Sequence, residues 1–164
     1  MLAKDIMVQE VVTLHPEDTV AEATVKFAEH KVSGCPVVDD EGTVVGILSE
    51  ADILAHLKTQ YKSLKMKLPP EIMFGISFEE EVKEKEMVKA FDEIGGAKVK
   101  DVMRRDVTMA SANDTIQSVV RRMVKNKINR VPVTRDGKLV GIVTRGDVIY
   151  GLHQNDSSTP RKSS

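Results

Sequence analysis

Apolar residues recur at three- and four-residue spacing in two stretches, Val20, Ala23 and Phe27 in 20–31 and Ile116, Val119 and Met123 in 116–127, which predicts two amphipathic helices. Each stretch follows an Asp-Thr pair, Asp18-Thr19 or Asp114-Thr115, and the threonines have the chemistry of helix N-caps. Each is then followed by a short apolar strand, opened by Pro36-Val37-Val38 or Pro132-Val133-Thr134, where the missing proline N–H is tolerated. Glu41-Gly42 and Asp136-Gly137 predict hairpin turns, glycine supplying a positive φ, into strands over 43–48 and 138–143. A second helix opens near Asp52 and Asp147, and short apolar segments (Val11, Val12; Val107) stand ahead of the first helix. The order predicted in each half is β-α-β-β-α.

The two halves are one sequence repeated. With an offset of 96, Lys4, Asp5, Met7, Asp18, Thr19, Lys31, Pro36 and Val37 meet Lys100, Asp101, Met103, Asp114, Thr115, Lys127, Pro132 and Val133. One residue is lost in the turn, after which Gly42, Val45, Gly46, Ile47 and Asp52 meet Gly137, Val140, Gly141, Ile142 and Asp147. A sheet this small cannot bury both of its faces alone, so two repeats are expected to pack pseudo-symmetrically in an α+β fold. The division expected is repeat 1 over 1–54, a helical insertion over 55–99, repeat 2 over 100–152 and a tail over 153–164.

Within the insertion, Ile53, Leu54, Leu57, Tyr61 and Leu64 extend the closing helix of repeat 1 through 51–66, and Leu68-Pro69-Pro70 ends it. Ser77 is placed to cap a highly charged helix, FEEEVKEKEMVKAFDEI, that stops at Gly95-Gly96 and has sparse apolar positions (Val82, Met87, Phe91, Ile94). This helix pair reads as a solvated layer lying on the module or on a partner, or as a partner-recognition arm. The tail, QNDSSTPRKSS, lacks apolar residues and is expected to be disordered.

Composition narrows the function classes. Lys and Arg number 24 against 25 Asp and Glu, a net charge of −1, so there is no global positive field to hold a nucleic-acid duplex. The single cysteine, Cys35, forms no intramolecular disulfide and builds no zinc site by itself; a buried inert thiol is expected. The first twelve residues carry Asp5 and Glu10 and have no apolar core of a secretory signal, and no apolar run reaches 18 residues. A soluble, cytoplasmic protein is expected.

Gly46-Ile47-Leu48-Ser49-Glu50-Ala51-Asp52 and Gly141-Ile142-Val143-Thr144-Arg145-Gly146-Asp147 share the pattern Gly-apolar-apolar-Ser/Thr-x-x-Asp. With Val32-Ser33-Gly34-Cys35-Pro36-Val37 and Ile128-Asn129-Arg130-Val131-Pro132-Val133 upstream, the chain resembles a tandem pair of CBS domains, a Bateman module. Physical chemistry makes the motif plausible as a nucleotide site. A strand ending in Ser or Thr and turning into a helix presents a hydroxyl and free N–H groups at the positive end of the dipole, which suits phosphate. An Asp three residues on can accept hydrogen bonds from both ribose hydroxyls. The same residues serve equally as helix caps, Ser49 and Thr144 at the N-cap with Asp52 and Asp147 in the first turn.

The resemblance implies a ligand in the cleft between the repeats, drawing on both. One site would use Thr144 and Asp147 for phosphate or ribose, Val12, Val32 and the backbone of Ser33 for adenine, and Asn129 and Arg130 for phosphates. Arg130 is the sharpest of these, since a guanidinium can grip a phosphate bidentately. The pseudo-symmetric site would use Ser49 and Asp52 with Thr108, Ile128 and Asn129. There Gly34 stands where Arg130 stands in the other, so a neutral or less charged adenosyl group is expected.

The resemblance thus implies a non-catalytic regulatory sensor of an adenosine-containing ligand (AMP, ADP, ATP or S-adenosylmethionine) that passes ligand state to a protein effector. Similar modules form flat homodimers through their helices, with the faces near Ile53, Leu57, Val148, Tyr150 and Leu152 as candidates. The alternatives are a structural dimer with empty clefts and, against the balanced charge, a nucleic-acid binder. The enzyme that carries a CBS pair as an insert, inosine-monophosphate dehydrogenase, places its catalysis in a barrel of about 250 residues, for which this chain has no room. No Walker loop or GxGxxG is present, the four histidines have no ligand spacing, and Arg104-Arg105 and Arg121-Arg122 form small basic spots that read as solvated surface.

Overall fold

The computed structural model describes residues 1–66 and 84–157. The elements in chain order are α1 (Ala3–Ile6), α2 (Val20–His30), β1 (Gly34–Val38), β2 (Val44–Ser49), α3 (Glu50–Met66), α4 (Glu84–Gly95), α5 (Val99–Val102), β3 (Ala110–Ser111), α6 (Ile116–Asn126), β4 (Arg130–Arg135), β5 (Lys138–Thr144) and α7 (Arg145–Ser157). The fold is α+β, as the repeat pattern predicts.

Local chemistry explains the first helix of each repeat. Thr19 Oγ1 accepts from Glu22 N at 3.1 Å while Thr19 N donates to Glu22 Oε2 at 3.0 Å, a reciprocal capping box. Thr115 Oγ1 accepts from Ser118 N at 3.2 Å. Both helices stop on a lysine in the left-handed region, Lys31 and Lys127, each at φ 53°. Their buried faces are Val20, Ala23 and Phe27, and Ile116, Val119 and Met123. The strand-to-strand turns use Gly42 (φ 79°) and Gly137 (φ 77°), the latter after Asp136 at φ 52°.

Three sequence expectations shift. The strand ahead of the first helix lies not at Val107 but at Ala110–Ser111, paired parallel to β4, and its counterpart is not Val11-Val12 but a single bridge from Leu14 to Val37. Buried Ala110 and Leu14 explain the shift, because pairing follows the residues that reach the core. The last helix runs further than expected, α7 continuing through Ser157 into the segment read as a tail from residue 153. Ile53 and Val148, placed on candidate dimer faces, are instead 4% and 5% exposed and belong to the core. Leu68-Pro69-Pro70, Ser77, Val82 and residues 158–164 lie outside the described residues.

The chain forms two compact units that are not contiguous in sequence: Met1–Thr13, Val38–Val44 and Asp106–Ser164 in one, Leu14–Val37 and Val45–Arg105 in the other. In the first, the segment ahead of repeat 1 docks on repeat 2. Ala3 N donates to Asp114 O at 2.8 Å, and Val8 and Ile142 exchange backbone bonds of 2.9 Å, adding a bridge on β5 beside the antiparallel β4–β5 pair. Its core is Ala3, Ala110, Ala112, Ile116, Val119, Met123, Val131, Val133, Val143 and Val148. In the second unit the segment ahead of repeat 2 does the same for repeat 1. Val99 N donates to Asp18 O at 2.7 Å, and Ile47 and Arg104 exchange bonds of 2.9 Å. Here α4 packs on α2 and α3 through Ala90 and Ile94, 3% and 0% exposed.

One ion pair in the first unit gives a pH signature. Asp114 Oδ2 accepts from Ser111 N at 2.9 Å and from Arg122 Nη1 at 2.7 Å, and Arg122 Nη1 also donates to Met109 O. The Ser111 amide above all, and then Arg122, hold the Asp114 carboxyl below the ordinary aspartate range against an opposing effect of burial. A carboxylate depressed on folding stabilises above its unfolded pKa, and that stability is lost as pH falls through the folded value. Thermal melts recorded from pH 6 downward are therefore expected to lose stability below about pH 4, and Asp114→Asn is expected to flatten that acid limb; an unchanged slope would contradict the assignment.

Candidate functional site

The two Ser/Thr-x-x-Asp motifs fold alike because each ends a strand and starts a helix in one step. In the first unit Thr144 ends β5 and Asp147 stands in the first turn of α7. Thr144 N and Oγ1 both donate to Asp147 Oδ2 at 2.7 Å, and Asp147 N donates back to Thr144 Oγ1 at 3.3 Å. In the second unit Ser49 N and Oγ donate to Asp52 Oδ2 at 2.9 Å, with Asp52 N returning to Ser49 Oγ at 3.3 Å. Both are capping boxes with aspartate in the glutamate position. All four residues are half-buried, and these bonds engage only Oδ2 of each carboxylate.

Hairpin register supplies the rest. Arg130 is the Cα partner of Thr144, which sets it beside the start of α7, and Arg145 N donates to Asn129 O at 2.9 Å. Arg130 Nε donates to Asn129 Oδ1 at 3.1 Å, so the guanidinium is held by its neighbour. Asn129, Arg130, Thr144 and Asp147 thus converge at one helix N-terminus within one unit. The second unit repeats the backbone frame, Glu50 N donating to Ser33 O at 2.9 Å, but has Gly34 at the arginine position. Of the other candidates, Val12, Thr108 and Ile128 belong to the first unit and Val32 and Ser33 to the second. Ile128 packs against the apolar core of its own unit.

A residue not singled out from sequence sharpens the contrast. Arg145 opens α7, where a cation opposes the helix dipole, while Glu50 at the matching position of α3 complements it. An arginine that costs the helix a few tenths of a kcal/mol makes sense beside an anion. The signal was present in the sequence as the charge reversal between Ser-Glu-Ala-Asp and Thr-Arg-Gly-Asp.

The CBS-domain family model matches residues 3–59 and 99–154. The chain belongs to the CBS-domain family. The CBS pair is 38% identical over 154 residues to an uncharacterized protein of Methanocaldococcus jannaschii, covering 93% of this chain and 91% of that one. It is 28% identical over 148 residues to inosine-5′-monophosphate dehydrogenase of the same organism, but spans only 23% of that enzyme's length. Among solved structures, CBSX2 of Arabidopsis thaliana superposes with a TM-score of 0.74 at 26% identity, over 96% of this chain and 98% of that one. CBSX2 in complex with AMP gives a TM-score of 0.69 at 27% identity, over 94% and 98%. Among the described residues, no cluster of His, Cys, Asp and Glu is placed to hold a metal ion and no helix is long and apolar enough to cross a membrane.

Proposed function

We propose that this CBS pair is a regulatory module without catalysis that binds a phosphate-bearing adenosine ligand at the N-terminus of α7. The observation that carries the reading is the register of β4 and β5, which sets Arg130 opposite Thr144 at a helix start also carrying Arg145. A phosphate there receives the helix dipole and a guanidinium together. Asp147 keeps Oδ1 for ribose hydroxyls while Oδ2 holds the cap. The matching start of α3, with Gly34 and Glu50, suits a neutral or less charged adenosyl group. The complex of CBSX2 with AMP supports the ligand class. The ligand acts on an effector only to the extent that it binds two conformations unequally.

A structural reading with empty sites draws on the capping boxes, which account for Ser/Thr-x-x-Asp with no ligand at all. Calorimetric titration with AMP, ADP, ATP and S-adenosylmethionine separates the two. Saturable binding of at least one phosphate-bearing ligand is expected, and thermal shift would follow it, since ligand at 100 times its Kd adds about 2.7 kcal/mol. Flat titrations for all four would leave the structural reading.

A further inference from the structure

Residues 1–8 form a strap that holds both arms of the corner where β5 turns into α7. On β5, Met7 lies over Gly141, where a β-carbon would be 2.5 Å from its Sδ and 2.8 Å from its Cγ. The next residue, Val8, exchanges backbone bonds of 2.9 Å with Ile142. On α7, Ile6 lies so near Gly151 that a β-carbon there would be 2.6 Å from its Cγ2. Thr144 follows Ile142 by two residues, and Arg145 opens α7 about 9 Å along the helix axis from Gly151. The strap thus grips the strand just before the Thr144–Asp147 cap and the helix just after it.

Gly151 serves no turn. It lies inside α7, where glycine weakens a helix relative to alanine. Ile6 accounts for it: a β-branched side chain, stiff at χ1, is seated against the bare helix backbone. The repeat does not impose this seat, since His56 stands at the matching position of α3. The close seat belongs to the unit that carries Asn129, Arg130 and Arg145, and the strap runs on to Val12 in the same unit. We infer that Ile6 and Met7 are positioning residues for the ligand site at the start of α7, an inference that rests on the function proposed above. The docked strap fixes α7 against β5, and so Arg145 and Asp147 against Arg130. A ligand that meets Val12 on the strap and Arg130 and Asp147 at the corner prefers the docked strap. Docking of the strap and binding of the ligand then strengthen each other by the same factor.

The test drives a wedge into the seat and reads AMP affinity by calorimetry on full-length chains. Gly151→Ala, a change that favours an open helix, is expected here to weaken AMP about ten-fold by lifting Ile6. Adding Ile6→Leu moves the branch away from the wedge at equal volume and should return the affinity to within about three-fold of wild type. Gly46→Ala makes the same kind of collision in the second unit. It should leave AMP affinity within about two-fold, which separates positioning from a general loss of stability. In the unmodified chain, AMP should slow deuterium exchange at the Val8 and Ile142 amides more than at Ile47 and Arg104, which pair alike in the second unit. A folded Gly151→Ala chain with wild-type AMP affinity would overturn the inference alone. So would a wedge that Ile6→Leu does not relieve, or equal slowing of exchange in the two units. A wild-type chain that binds no AMP would remove the proposed function and this inference with it.

Discussion

Gly46→Ala is expected to lower the unfolding free energy by about 2 kcal/mol, the scale of overpacking in a filled core, and Tm by about 4 to 8 °C. A β-carbon on Gly46 would collide with Met103 Sδ and sit 2.9 Å from Met103 Cγ and 3.1 Å from the Arg104 carbonyl oxygen. The thioether could swing aside in a looser site, but Met103 is only 9% exposed and the Arg104 carbonyl is held by the paired bonds with Ile47. Gly141 stands in the same relation to Met7 Sδ, at 2.5 Å, and to the Val8 carbonyl oxygen. Shortening the methionine makes room, so Gly46→Ala with Met103→Ala should cost less than the two single changes added together, by about 1 kcal/mol or more. Additive losses in a denaturant cycle would show that the glycine serves something other than this contact.

Arg130→Ala is expected to weaken AMP about 10- to 100-fold, corresponding to about 1.5–3 kcal/mol for a charged hydrogen bond, and to leave adenosine binding nearly unchanged. The comparison isolates the phosphate, because adenosine presents the same base and ribose without it. The aspartates behave differently, since each holds a cap. Asp147→Ala and Asp52→Ala should both lower the unfolding free energy of the ligand-free chain, each by about 1 kcal/mol of helix capping. Only Asp147→Ala should also weaken AMP strongly, because the α7 start carries Arg130 and Arg145 and the α3 start carries Gly34 and Glu50. Titrations of the three variants decide the matter; equal losses of AMP affinity at Asp52 and Asp147 would remove the asymmetry between the sites.

Much of the candidate site was legible because its parts are local. Ser49 and Asp52, and Thr144 and Asp147, are three residues apart and form their bonds within one helical turn. Arg130 and Asn129 stood out by position in the repeat. That Arg130 faces Thr144 needed the hairpin register, and the opposed charges of Arg145 and Glu50 acquired meaning only once both were seen to open helices.

By itself the sequence determined the repeat, the order of helices and strands, their caps and their turns, since period, capping and glycine turns act over a few residues. It misplaced the strand ahead of the first helix, where two or three paired residues carry no periodicity to read. Only the tertiary structure decided which segment completes which repeat. Residues 1–13 finish the unit built on repeat 2, and residues 97–105 finish the unit built on repeat 1. Those choices rest on Met7 filling the notch at Gly141 and Met103 the notch at Gly46. They rest also on backbone bonds such as Val8 to Ile142 and Ile47 to Arg104. Such contacts join residues far apart in the chain, and the backbone groups that make them are the same for every residue type, so no local pattern announces them.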